Sequence, residues 1–491
     1  MFYITDTMKY LSTLFLSILF SVPFVACDDE NGFSSDPSLL LEFSSDTITF
    51  DTLFTDINSP SAGIVVRNPH GDGVRISSVQ LASGGTSGFS VLVDGQYGDF
   101  MRDLEVRAND SIFVLASVHL DRNNKDIPFL VKDSLLFNLE SGVQQKVLLM
   151  AYGRDVVVMR GVTFANDTVI GAGHYVIHDS LIVAENTTLS IAPGTTLYFH
   201  DKAFMKIFGT LDAVGTLHEP VVMRGDRTDK MFPYLPYDRI PGQWDGVTFA
   251  SSSNNNRLIH CDVHSANYGV KVESGDTETQ RITIESSKIH NFHGNALELV
   301  NAQATVVNSL LANAQGNCVK VVGGDVSFVH CTIANFYVWK QRDVALALHN
   351  SIDGVPAPLR GALFANCVVA GSKNDEVMGY LTNYGDTIPD ARNYRFENSL
   401  INTVAEGDSC FVNNVFDNSE EEPFGAAHFR IIDHDNFVYD FHLSDSARAR
   451  AIANSEYSEL LRFDIDGVER PAMNADAGCY QYVELPESEE E

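Results

Sequence analysis

Basic residues are scarce in this sequence. Against 65 Asp and Glu stand only 33 Lys and Arg, a formal net charge of −32 at pH 7. Nucleic-acid binding needs a basic footprint, so no nucleic-acid partner is expected. The acidic excess also repels polyanions at long range, and a highly charged anionic substrate would need a local basic groove. Cysteine is sparse: seven in 491 residues, none in a CxxC pair, which argues against a zinc ribbon. Tryptophan occurs twice. Beyond the N-terminal segment no apolar run approaches the roughly 20 residues of a membrane helix.

What is present starts at the N-terminus. From Met8 the chain reads MKYLSTLFLSILFSVPFVAC, one lysine before an apolar run that ends at Ala26-Cys27. Residues 1–27 read as a cleaved signal peptide, with Met8 an alternative start. Ala26-Cys27 resembles a bacterial lipobox, although Phe24 stands where leucine is usual. The acidic DDEN that follows resembles the surface-export signal of Bacteroidetes lipoproteins. The resemblance implies lipidation at Cys27, a membrane partner reached through acyl chains, and a surface-exposed place at the outer membrane. Residues 28–38 read as a polar tether and 483–491 as an acidic tail.

Residues 39–155 are written in short alternating runs: ITFDTLF, GIVVRNP, VRISSVQL, FSVLVDG, DSIFVLASVHL, DSLLFNL and QKVLLMAYG. About seven such strands divided by Gly, Asn, Asp and Pro predict a β-sandwich. The stretch resembles the immunoglobulin-like domain at the front of many Bacteroidetes surface proteins. It holds no cysteine, so its core must hold by apolar packing alone.

Over residues 160–482 the runs are shorter and a repeat appears. HCDV (260–263), SSKI (286–289), NSLL (308–311), HCTI (330–333), NCVV (366–369) and NSLI (398–401) align. Each has a small second residue (Cys261, Ser287, Ser309, Cys331, Cys367, Ser399) and an aliphatic fourth. Residues two apart in a strand share a face, so both positions point inward. The central steps of 22 residues match one coil of a three-sheeted parallel β-helix. The runs Ile191–Phe199 and Gly209–Pro220 resemble the opening coils of right-handed parallel β-helix proteins, and Leu443–Gly478 resembles the closing segment of many bacterial ones. The fold class is therefore all-β: an N-terminal β-sandwich, then a right-handed parallel β-helix with a small C-terminal cap, helical near Ser446–Leu461, blunting the last coil. Asn291, Asn313 and Asn335 read as an asparagine ladder. Whether Cys331 and Cys367 are cross-linked stays open.

The stretch HCDVH, His260–His264, packs four potential metal ligands into five residues, yet it aligns as one rung of the repeat. No metal site is expected there. Asp262 and Lys288 share an outward column, with His264 and His290 close by. β-Helix polysaccharide lyases, which this fold resembles, use a basic residue to abstract a proton and Ca²⁺ on carboxylates. These four are weak catalytic candidates, because the column continues Leu310, Thr332, Val368 and Leu400. A second column, Lys271, Glu298 and Lys320, is either a groove for an acidic sugar or a stack of alternating charges. Two inserts are rich in rings, Phe232, Tyr234, Tyr237 and Trp244 in one and Tyr337 and Trp339 in the other. Exposed rings stack on sugars or anchor protein partners. DIDG (464–467) lacks the rest of a calcium loop, so Ca²⁺ has no support and no cofactor is expected. Asp-Ser/Thr-aliphatic triplets, such as those at Asp46, Asp110, Asp133 and Asp386, resemble the O-glycosylation sequon of Bacteroidetes exported proteins. The leading expectation is a non-catalytic binding or structural role toward glycans or envelope partners. The alternative is a polysaccharide lyase or glycoside hydrolase on the β-helix.

Overall fold

The structure is a computed structural model that describes residues 32–124, 127–385, 391–405, 409–417 and 425–484. The signal segment with Met8 and Cys27, the start of the tether, the Asp386 triplet and most of the acidic tail lie outside the described residues. The chain is all-β: an N-terminal β-sandwich followed by a right-handed parallel β-helix with a small C-terminal cap. It divides into two compact units, one holding residues up to 121 together with 129–153, the other 122–128 and everything from 154 on.

The sandwich has two five-stranded sheets, more strands than the sequence suggested. One runs Glu42–Phe43, Ala62–Arg67, Ser111–Val118, Phe89–Val93, Gln96–Gly98. The other runs Thr47–Phe54, Gln144–Arg154, Phe129–Leu139, Val74–Leu81, Phe100–Val106. Alternation puts Val66, Val91, Val114, Leu135, Phe137 and Leu149 into one core shared by both sheets. In VRISSVQL the alternation slips by one residue between Ile76 and Val79. A register shift, a β-bulge, sits there and returns both side chains to the core.

In the second unit successive coils stack as three parallel sheets. Sheet A stacks Phe204–Ile207, Gly246–Phe249, Val270–Val272, the first halves of Leu297–Val307 and Val319–Val329, then Leu346–His349 and Val377–Tyr380. Sheet B stacks Thr188–Ile191, Thr210–Val214, Asn256–Ile259, Gln280–Glu285, the second halves of those same two long strands, Leu359–Ala365 and Arg395–Glu397. Sheet C stacks Thr195–Phe199, Val221–Gly225, Cys261–His264, Lys288–Phe292, Leu310–Ala314, Thr332–Asn335, Val368–Gly371, Leu400–Ile401 and Val415–Phe416.

The turn from sheet B into sheet C explains the repeat. His260, Ser286, Asn308, His330, Asn366 and Asn398 all adopt φ between 46° and 52°. Asn tolerates this left-handed region best, and His and Ser replace it where the rung demands. The next residue of each repeat turns inward, and the six small residues form one buried file. The Cys261 amide donates to Ser287 Oγ at 2.9 Å, Ser287 to Ser309 Oγ at 3.1 Å, and Cys367 to Ser399 Oγ at 2.9 Å. Cys331 and Cys367 are free thiols, not a disulfide. Burial pushes Cys331 well above the usual thiol range, which keeps it inert. Two of the three ladder asparagines carry coil-to-coil bonds: Asn313 Oδ1 accepts from Phe336 N and Asn335 Oδ1 from Ala314 N.

The closing segment differs from expectation. Its α-helix is confined to Ser455–Leu460, with the Asn454 side chain capping the Glu456 amide. Instead of only plugging the last coil, the segment lies along the outer face of sheet C. Phe429, Phe441, Leu443, Ile465, Cys479 and Tyr480 pack on Leu310, Ala312, Val368, Ala370 and Leu400. The outward column that turns apolar after Lys288 is apolar because it is covered.

Candidate functional site

HCDVH comes apart in three directions. His260 makes the left-handed turn, Cys261 and Val263 point into the core, and Asp262 and His264 lie on the outer side of sheet C. The next coil brings Lys288 beside Asp262 and His290 beside His264. His264 Nδ1 stands 2.8 Å from Asp262 Oδ1, and His290 Nε2 stands 3.1 Å from the same oxygen. The other side of His264 meets Asp238, with Nε2 2.9 Å from Oδ1, and Arg224 holds that same Asp238 oxygen at 2.8 Å. The two imidazoles stack at 4.9 Å.

Burial alone would lower the His264 pKa. The Asp262 charge and the hydrogen bonds to Asp238 and Asp262 outweigh it, so His264 is pushed up to about 9. Asp262 is also opposed by burial, yet the two histidines hold it well below the usual carboxylate range. An imidazolium with a carboxylate on each nitrogen has no lone pair to offer, so His264 in this state is no general base. Lys288 reaches across to the closing segment, 3.6 Å from Asp466 Oδ1. His442 bridges Asp440 at 2.5 Å and Asp466 at 2.7 Å and packs on Tyr480. The four outward candidates are thus brought together, but each is tied to a neighbour. DIDG is likewise spent: Asp464 accepts the amides of Asp466, Val468 and Gln481.

The rings divide by burial. Trp244 is not a binding ring: it is fully buried, stacked on Phe199 at 4.2 Å, with Nε1 donating to the His264 carbonyl. Tyr337 is buried too, and Trp339 lies flat on Phe437 of the closing segment at 4.3 Å. Tyr237 sits under Arg227 at 3.8 Å. Phe232 and Tyr234 are half exposed and stacked on each other. Of the sequon-like triplets, Asp133 is buried inside a strand, with Ser83 and Ser87 donating to it.

The groove with the most suitable chemistry lies elsewhere, on the outer face of sheet A. It encloses about 500 Å³ and is lined by Phe204, Lys206, Asp245, Thr248, Asn267, Tyr268, His293 and Gly294. Lys206 and Thr248 are register neighbours on its floor, and Lys271 continues the column. Phe204 and Tyr268 expose 37% and 57% of their surface, enough for a ring face to meet a ligand. Asn267 fixes one wall, donating to Asp245 Oδ1 at 2.7 Å, with its own Oδ1 3.3 Å from His293 Nδ1. Glycine shapes this wall. A Cβ on Gly294 would sit 2.3 Å from the Tyr268 ring, and one on Gly246, at φ 93°, 1.9 Å from the Tyr268 carbonyl. Farther along, Lys320 pairs with Glu298 at 3.2 Å, so that part of the Lys/Glu column is a charge stack. Sequence reasoning named Lys271 here but missed the groove. Its one local signal is the ring of Tyr268 placed in the turn before Gly269.

No known protein-family profile matches the chain, and no curated protein matches it. Several solved structures give alignments, three of them as follows. The Yersinia enterocolitica family 28 exopolygalacturonase aligns over 72% of this chain and 90% of its own, at 9% identity and a TM-score of 0.29. The Agl-KA catalytic domain aligns over 73% and 78%, at 12% identity and 0.31. A family 123 glycoside hydrolase from Clostridium perfringens aligns over 24% of this chain, which spans 30% of that protein, at 8% identity and 0.18. At such scores the similarities carry no inference about activity, and the fold assignment rests on the strand pairing described above.

Proposed function

We propose that this chain is a lipid-anchored cell-envelope protein whose β-helix binds glycans without catalysis, through the sheet A groove. The carrying observation is the pairing of two exposed rings, Phe204 and Tyr268, with a polar floor and wall of Lys206, Thr248, Asp245, Asn267 and His293. Sugar rings present an apolar face and a rim of hydroxyls, and this groove offers both complements. Lys206 stands 3.8 Å from Glu273 Oε1, so the groove floor offers a Lys–Glu pair to sugar hydroxyls. Anchoring at Cys27 and exposure on the outer membrane belong to the same proposal, and they rest on the N-terminal sequence pattern.

The test is a glycan array beside an assay for unsaturated or reducing sugar products. Binding without product release is expected. Tyr268→Ala should weaken the binding by about tenfold, since ring stacking contributes about 1 kcal/mol or slightly more. Product release, or binding that ignores both Tyr268→Ala and Lys206→Ala, would refute the reading.

A further inference from the structure

We propose that Asp262, His264 and His290 form a site for a divalent transition metal of the zinc class, with Asp238 as its positioning residue. Among the described residues, this is the group of three whose ligand atoms all lie within 4.8 Å of one another. Asp262 Oδ1 already stands about a hydrogen-bond length from a nitrogen of each ring. Two imidazoles and a carboxylate suit zinc, cobalt or nickel far better than calcium, which takes six or more oxygens.

The surroundings add a second, independent observation. Histidines that bind metals almost always donate their other N–H to a carboxylate, which fixes the tautomer and ring orientation. His264 has that partner: Nε2 faces Asp238, and Arg224 in turn holds the Asp238 carboxylate. This leaves Nδ1 as the atom aimed at Asp262 and at the shared point. The competing cation, Lys288, is drawn away to Asp466. Asp262 and His290 are about one-third and one-quarter exposed, so metal can enter and a coordination position is left toward solvent for water or a ligand oxygen. Binding replaces the proton between His264 Nδ1 and Asp262 by the metal and releases it to solvent. The rings now lie within 16° of parallel, so one must tilt about its Cβ–Cγ bond for both lone pairs to converge. His290, the more exposed, is the one that moves.

The proposal goes beyond glycan binding, because the groove on sheet A uses none of these residues. Untagged full-length protein, freed of metal, is titrated with Co²⁺ and then Zn²⁺, followed by visible absorption and calorimetry. One Co²⁺ per chain with the intense absorption of a low-coordinate site is expected, displaced by Zn²⁺ and not by Ca²⁺. His290→Ala and Asp262→Asn should abolish that spectrum. Asp238→Asn should keep the spectrum but weaken affinity by about 10- to 100-fold. Circular dichroism of each metal-free variant checks that it is folded. His290→Gln, which keeps a polar side chain at that rung, serves if the alanine variant fails to fold. No stoichiometric binding, a spectrum that survives in the His290 variants, or equal competition by Ca²⁺ would overturn the proposal.

Discussion

Phe364→Ala tests the stacked-rung architecture most directly. Inside sheet B the rings of Phe328, Phe364, Phe396 and Phe411 stack face to face, with centroids 4.9, 4.8 and 5.0 Å apart. Phe364 is fully buried between two of them. Truncating a buried Phe costs about 3–5 kcal/mol, and the cost grows when the surroundings cannot collapse. Here collapse is blocked, because the rung spacing is set by the backbone ladders on either side. Two lost ring pairs, at roughly 0.5–1.5 kcal/mol each, push the value toward 5 kcal/mol. In a solenoid each coil contacts only its neighbours, so the loss should stay local. Hydrogen exchange followed by mass spectrometry reads this out. Amides in Val326–Val329, Ala362–Ala365 and Arg395–Glu397 should lose protection by about a thousandfold. Amides in Leu189–Ala213, several coils away, should lose less than about tenfold. A uniform loss along the chain, or a local loss below tenfold, would refute the reasoning.

Arg342 makes two contacts to Glu376, at 2.6 and 3.0 Å, with both side chains buried, so Glu376→Ala should cost about 3–5 kcal/mol in urea unfolding. Replacing both by apolar residues of similar volume should restore most of that loss. His442, opposed by burial but held by Asp440 and Asp466, is pushed up to about 9 from an ordinary 6.5. Its contribution is therefore complete below pH about 6.5 and lost as pH rises toward 9. Part of the side chain faces solvent, so the loss is about 2 kcal/mol at most, and His442→Gln should flatten that slope in thermal melts. Cys27→Ser should move the chain from the membrane fraction to the soluble one, and an unchanged membrane fraction would sink the lipid anchor.

The core of the β-helix was legible because two signals coincided. Cys261, Ser287, Ser309, Cys331, Cys367 and Ser399 each stand two before an aliphatic residue, and the two central steps of 22 match one coil. Alternation then leaves a single choice of inside. Trp244 stood as a binding candidate because three prolines and four rings suit an exposed loop as well as one folded over the barrel side, and its stacking on Phe199, 45 residues earlier, leaves no local trace. Asp238 and Arg224 escaped notice for the same reason: only the stacking of coils brings them to His264. The edge strands Glu42–Phe43 and Gln96–Gly98 are too short to display alternation.

The outward column of sheet C runs Asp262, Lys288, Leu310, Thr332, Val368, Leu400. An outward face cannot turn apolar over four successive coils and stay in water without aggregating. Something must cover it, and among the described residues the closing segment does. The change from charge to hydrocarbon between Lys288 and Leu310 therefore marks where that cover stops. There Asp466 and Tyr480 meet Lys288, and beyond it Asp262 and His290 remain partly open, with His264 buried beside them. The same boundary places the outward chemistry of sheet C on the earlier coils, up to Lys288 and His290.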